Sequence, residues 1–263
     1  MQYLRGNVIF TKGDMTMNCD WARFDQKKER GFLFGNVSMT EDVQNLTCDS
    51  LFVDSPKDIM IAYSNTHVWD TTYSLVADTL FYFSELDSGS ANGNATLIQE
   101  KQTIKGDRIE YVDLPEVDGV SYAARGNVTI TEEGRLATCG EAIYDRENGK
   151  TVLRIKPQIV DNEQTISGSE IYLEYEDEVL KNLFIPSEAH ATHPSKGIRE
   201  WFEVVEGDTT FFEDSLSFSD DMTGSILRGF FVDGKLDSMR LEGMATTLSV
   251  SYTHLTLPTN REV

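Results

Sequence analysis

Apolar and polar residues alternate along most of this 263-residue chain, and the alternation restarts at near-regular intervals. Count from Gly6, Gly35, Ser64, Gly93 and Gly126 as zero. Apolar residues stand at +2 and +4 in the clearest copies: Val8 and Phe10, Val37 and Met39, Ala95 and Leu97, Val128 and Ile130. They continue at +11 with Met17, Leu46, Leu75, Ile104 and Ala137. Position +13 holds only small residues: Cys19, Cys48, Ala77, Gly106 and Cys139. The phase then slips by one, and apolar residues return at +16 and +18: Ala22 and Phe24, Leu51 and Val53, Leu80 and Tyr82, Ile109 and Tyr111, Ala142 and Tyr144. Strict alternation predicts half-buried strands, and helical periodicity is absent throughout. The copies step by 29, 29, 29 and 33 residues, a period that means stacked supersecondary units.

A one-residue slip turns the second apolar set away from the first unless the strand bends there. The bend is expected at +13/+14, where Asp20, Asp49, Asp78 and Asp107 recur. Each unit then reads as a V: a strand opened by the Gly-Asn pair, a narrow crease, and a strand leaving on the other wall. Turn residues close the units at Asp25–Gly31, Asp54–Asp58, Glu85–Gly89, Asp113–Gly119 and Asp145–Gly149. The fold class is therefore all-β, with stacked V-shaped rungs and an apolar inside.

Past Lys156 the pattern loosens. Thr165–Tyr175 repeats the small crease at Gly168, followed by Ile171 and Leu173. The run Met222–Leu248 supplies a strand pair around Asp233-Gly234, the strongest hairpin signal in the chain. A boundary near Pro194 divides residues 1–193 from 194–248, the latter a candidate second stack. Val250–Thr259 resembles a translated sequencing adaptor, and residues 249–263 are set aside as a non-native tail. Met1 falls inside a repeat, so the true N-terminus and any export signal are expected upstream.

Charge changes the picture next. The chain carries 23 Lys+Arg against 44 Asp+Glu, a net −21. Such a surface repels phosphate backbones, and no basic patch offsets it, so nucleic-acid binding is not expected. No run approaches 18 apolar residues, so no helical membrane span is expected.

Candidate chemistry is sparse. Cys19, Cys48 and Cys139 share one repeat position and read as small crease-fillers, interchangeable with Ala77 and Gly106. A Cys19–Cys48 disulfide stays open in an oxidising compartment. The aligned aspartates raise a calcium ladder, but the glycine-rich loop with further Asp ligands is missing. Each carboxylate is instead expected to accept backbone N–H groups at its bend. His67, His190, His193 and His254 are scattered. No nucleophile elbow, phosphate loop or His-Glu-x-x-His appears, so no catalytic residue, metal or cofactor is assigned. Trp21, Trp69, Trp201 and the other aromatic residues read as core or strand surface.

The stretch Gly93–Val112, with GNA, IKGD and I-x-Y at matching spacing, resembles the OstA-like (LptA) family; weaker copies extend this over Leu4 to Lys181. The later GKLDSMRLEGMATTL is similar to longer OstA-like members from Bacteroidetes-type bacteria. The resemblance implies a V-shaped β-jellyroll, open at both ends, that carries lipopolysaccharide through the periplasm in outer-membrane assembly. Lipid A acyl chains would ride in the apolar trough, and jellyrolls would join through their edge strands. The chain departs from the compact family pattern in its acidity and its length. Those departures leave open a bridge protein, a longer relative, or a periplasmic domain of the outer-membrane translocon. The trough is expected to be lined by Val8, Phe10, Phe24, Val37, Met39, Leu51, Val53, Leu80, Tyr82, Leu97, Ile109, Tyr111, Val128, Ile130 and Tyr144. A structural or adhesive solenoid with a dry, packed interior is the alternative.

Overall fold

Almost every alternating run forms a strand in the structure, a computed structural model that describes residues 1–83, 88–113, 120–161, 164–205 and 208–248. Ten long strands come first: β1 (Gln2–Lys12), β2 (Met15–Asp25), β3 (Arg30–Glu41), β4 (Gln44–Asp54), β5 (Ile59–Trp69), β6 (Tyr73–Phe83), β7 (Ser88–Gln99), β8 (Gln102–Asp113), β9 (Val120–Glu132) and β10 (Arg135–Asp145). Shorter pieces follow: β11 (Lys150–Arg154), β12 (Gln158–Asp161), β13 (Gln164–Ser167), β14 (Glu170–Glu176) and β15 (Val179–Ile185). The chain ends in β16 (Ala189–Val205), β17 (Asp208–Gly224), β18 (Ile226–Val232), β19 (Lys235–Glu242) and β20 (Thr246–Leu248). From β1 to β10 each strand pairs antiparallel with the next, an unbroken meander. The only helical turn among the described residues is Ser55–Lys57, so no helix there is long enough to cross a membrane.

The crease runs through the middle of these strands, and two kinds of sequence make it. In the even strands it sits at Asp20, Asp49, Asp78 and Asp107, as the phase slip requires. In the odd strands it sits at the Gly-Asn pairs (Ser64-Asn65 in β5), which therefore lie mid-strand and do not open strands. Each 29-residue repeat thus contains two creased passes, not one. Register jumps at the crease in every pairing: Asn92 faces Thr79 and Val76 faces Thr96, so Gly93, Asn94 and Ala95 oppose Ala77 and Asp78. An extra residue in one strand is a β-bulge, which bends the strand and re-aims its side chains.

Both residues of the pair adopt left-handed backbone, with φ of +78° at Gly93 and +47° at Asn94. Asn amides then reach the aspartates of the preceding strand: Asn36 donates to Asp20 and Asn65 to Asp49 at 2.9 Å, Asn94 to Asp78 at 3.2 Å, and Asn127 to Asp107 at 3.1 Å. The aspartates accept side-chain amides where backbone N–H groups were expected. A ladder of Asp–Asn bonds follows the fold line.

The ladder stops at Gly140, which takes the Asp position. Its N–H donates to the Ile155 carbonyl at 2.9 Å, and a Cβ there would lie 2.7 Å from the Ile155 Cβ. Ile155 and Lys156, both with positive φ, replace the Gly-Asn pair. From this point each pass across the crease is two strands. β11 and β12 pair with β10, then β14 with β11 and β13 with β12, β15 with β14 and β16 with β13. β18 and β17, then β19 and β20, continue the two series. Pro194, the expected boundary, lies inside β16 opposite Ser219, in an antiparallel pair that tolerates a missing donor. The Asp233-Gly234 turn joins β18 to β19 with both residues left-handed, as its sequence predicts. The expected turns at Glu85–Gly89 and Asp113–Gly119 fall largely outside the described residues, as do the tail at 249–263 and His254.

Candidate functional site

The crease divides each pass into two walls whose inward faces oppose one another. Inward positions of the even strands follow the sequence phase on both sides of the slip. Met17, Cys19 and Ala22 are buried in β2; Leu46, Cys48 and Leu51 in β4; Leu75, Ala77 and Leu80 in β6. Of the expected trough residues, Val8, Val37, Met39, Leu51, Leu80, Leu97, Ile109, Tyr111, Val128, Ile130 and Tyr144 are buried core. Phe10, Val53 and Tyr82 pack partly buried against it, and Phe24 is half-buried. A fourth inward set went unread in the sequence. It stands two and four residues before each zero after the first: Leu33 and Gly31, Ala62 and Met60, Ala91 and Gly89, Ala124 and Tyr122. This alternation was visible, but turn residues separate it from the rest of its repeat.

The inside is not uniform along the stack. Between β1 and β5 a cavity of about 240 Å³ opens between the walls. Phe10, Met15 and Met17 line it from the first wall, and Phe24, Leu33, Val53, Ile59 and Met60 from the second. Phe10 and Phe24 approach across it with ring centroids 6.3 Å apart. Lys12, Asp54 and Asp58 stand at its rim, with Asp54 paired to Arg30 at 2.9 Å. Gly31 keeps the second wall low, and unbranched methionines adapt to irregular contents.

From β6 to β15 the walls are joined. Tyr73 of the first wall meets Tyr111 of the second, ring centroids 6.3 Å apart. The buried Gln99 side chain accepts the Val120 N–H from the facing wall at 2.7 Å. Tyr175 donates to Glu132 at 3.3 Å, and Arg146, nearly buried, pairs with Glu100 on the opposite rim and with Glu178 at 3.1 Å. Between these links the interior is filled, and the void beside Tyr122, Ile130 and Tyr175 is only about 10 Å³. The apolar inside is therefore open between β1 and β5 and closed from β6 to β15. At +18, Phe24 and Val53 border the cavity, whereas Tyr111 meets Tyr73 of the other wall.

Electrostatics follow burial. Desolvation pushes the Tyr122 and Tyr175 phenols well above their usual range, so both stay neutral. Burial raises Glu100, against the pull of Arg146. The thiols are free and buried: burial pushes Cys48 up to about 12 and Cys139 to about 11. Cys19 and Cys48 lie on β2 and β4, with β3 between them. That separates their backbones by about 10 Å, beyond disulfide reach. His67 bonds Ser74 at 2.9 Å and stacks on Trp69, while His193 meets Gln164. Among the described residues no group of His, Cys, Asp and Glu is placed to hold a metal ion.

A family model described as OstA-like protein matches residues 25–169, more than half of the chain. None of the curated proteins matches it. A similar solved structure is that of LptH, the LptA-homologous periplasmic component of the lipopolysaccharide transport device of Pseudomonas aeruginosa. It is 16% identical, with 45% of this chain and 94% of LptH covered, at a TM-score of 0.41.

Proposed function

The chain belongs to the OstA-like family, and from that premise we propose that it carries lipopolysaccharide in the bacterial periplasm. The observation that supports this reading is the apolar opening between β1 and β5, lined by Phe10, Met15, Met17, Phe24, Val53 and Met60. Each CH₂ of an acyl chain withdrawn from water there contributes about 0.8 kcal/mol. A chain held only partly in an open slot is released more easily than one fully enclosed, which suits a carrier. No chemical step is required, and none is assigned. The protein is read as a binding partner of lipid A and not as an enzyme.

Among the described residues β1 pairs with β2 alone, so one edge of the sheet carries unpaired N–H and C=O groups. In this reading that edge takes the edge strand of another jellyroll, the mode in which a strand is added to an open sheet. A second reading, a structural solenoid, is favoured by the filled interior from β6 to β15.

Photo-crosslinking separates the two. A photoreactive residue is placed at Met15, at the outward and exposed Ile9, and at the fully buried Leu97. Labelling by lipopolysaccharide at 15 but not at 9 is the expected result. Added labelling at 97 would mean that the joined walls part for ligand. No labelling at either inward position in folded protein would leave the structural solenoid.

A further inference from the structure

The outward face of the second wall changes character along the stack. From β8 to β14 it carries an alternating ion ladder of Arg108, Glu110, Arg125, Glu141, Arg154 and Glu170, each charge paired with a neighbour. From β1 to β5 the same face is aromatic. Trp21 and Phe34 stack with centroids 4.1 Å apart and planes 12° from parallel, and Phe32 meets Phe52 at 4.6 Å. These side chains alternate with the inward set of Ala22, Leu33 and Leu51, so they lie outside the lipid cavity.

The row nearest the crease reads Trp21, Phe34, Ser50, Tyr63 in successive strands. Ser50 interrupts it. Strands lie about 4.8 Å apart, so Phe34 and Tyr63 are set roughly 10 Å from one another across Ser50. A cavity of about 340 Å³ runs over this face from Tyr3 and Trp21 past Phe34, and its far part enters the gap beside Ser50, Phe52 and Tyr63. Carbon contacts of about 3.7 Å on both sides would use about 7.5 Å for a flat ring. A separation of roughly 10 Å leaves room for a thicker, puckered ring, whose axial C–H groups would face the aromatic walls.

The polar groups around the gap suit the same guest. Ser50 and Tyr63, both hydroxyl-bearing, line it. The Arg23 guanidinium sits over Phe32, 4.7 Å from its centroid. Among the described residues neither Arg23 nor its outward neighbour Arg5 forms an ion pair, although acids outnumber bases 44 to 23 in the chain. The lining contains one cation and no carboxylate. The nearest crease acids, Asp20 and Asp49, accept the Asn36 and Asn65 amides. We propose that this slot is a second binding site, on the outer face, for an acidic pyranose unit of an anionic polysaccharide. One sugar ring would lie between Phe34 and Tyr63, with its carboxylate on Arg23.

The test is a titration of the full chain with an oligogalacturonate, followed by tryptophan fluorescence and calorimetry, with a neutral cello-oligosaccharide as control. Saturable binding of the acidic sugar alone is expected. Ser50→Phe, which completes the aromatic row on an outward position, should abolish it, and Arg23→Gln should weaken it about tenfold. Tyr63→Ala provides a second loss-of-binding variant if Ser50→Phe fails to fold. No saturable binding, or binding that survives either slot variant, overturns the proposal. Equal affinity for the neutral sugar, or preference for an aromatic peptide over both, overturns it as well. Crosslinking at Met15 by lipopolysaccharide should be unchanged in Ser50→Phe, since the slot and the lipid cavity lie on opposite faces.

Discussion

At Gly93 the backbone is left-handed and a Cβ would fall 2.3 Å from the Asp78 carboxylate oxygen. Gly6 has a similar φ of +82°, but no atom lies within 4 Å of its Cβ position. Gly6→Ala should therefore cost only the conformational strain, about 1 kcal/mol, whereas Gly93→Ala should cost about 3 kcal/mol in urea unfolding. The Cys48 thiol is pushed up to about 12 and that of Cys139 to about 11 by burial, so both should resist iodoacetamide in the native state and react on unfolding. Burial also lowers the His67 pKa below its ordinary 6.5. A depressed folded value means stability that is full above the ordinary value and is lost as pH falls through the folded one. Between pH of about 7.5 and 5.5, wild type should lose stability relative to His67→Gln, read as the difference between their denaturation midpoints. The recurrence of Asp20, Asp49, Asp78 and Asp107 was legible in the sequence. Their partners were not, because Asn36, Asn65 and Asn94 stand 16 residues further on and meet them only through strand register.

At the scale of the strand, the bulge sets which face points inward. Asn94→Ala keeps the register and loses one amide bond to Asp78, a cost of about 1 kcal/mol. Deleting Asn94 removes the extra residue, so Ala95 and Leu97, both fully buried, would turn outward for the rest of β7. That deletion should destabilise by more than Leu97→Ala, itself worth about 2–5 kcal/mol, and should abolish cooperative melting by circular dichroism. The phase slip between Cys19 and Ala22 announced the bend in β2 without any structure. The odd strands hide theirs, since Leu33 and Val37 are spaced evenly in parity and their alternation runs on unbroken through Gly35-Asn36. Hence one crease per repeat was read where two exist.

For the molecule as a whole, the net charge of −21 is spread over one antiparallel sheet folded along a crease. Self-repulsion of that size is screened within about 10 Å at 0.1 M salt. The melting temperature should rise between about 0.05 and 0.5 M sodium chloride, as calorimetry would show. All-β architecture and inward residues followed from apolar spacing. The filled middle did not, because the span from Tyr175 to Glu132 or from Arg146 to Glu100 depends on how far apart two walls stand, a distance no repeat pattern encodes. Aromatic residues at +18 looked equivalent in sequence, yet Phe24 borders a cavity and Tyr111 packs against Tyr73 of the facing wall in the filled part.

The unbroken meander has a consequence for how such a molecule is made. From β1 to β10 every strand finds its partner immediately behind it, so each hairpin can close as soon as its two arms are available. Loop closure stays short however many units are added, and contact order grows little with chain length. A 29-residue unit could be gained or lost without rethreading any other, which makes length the cheapest property for evolution to change.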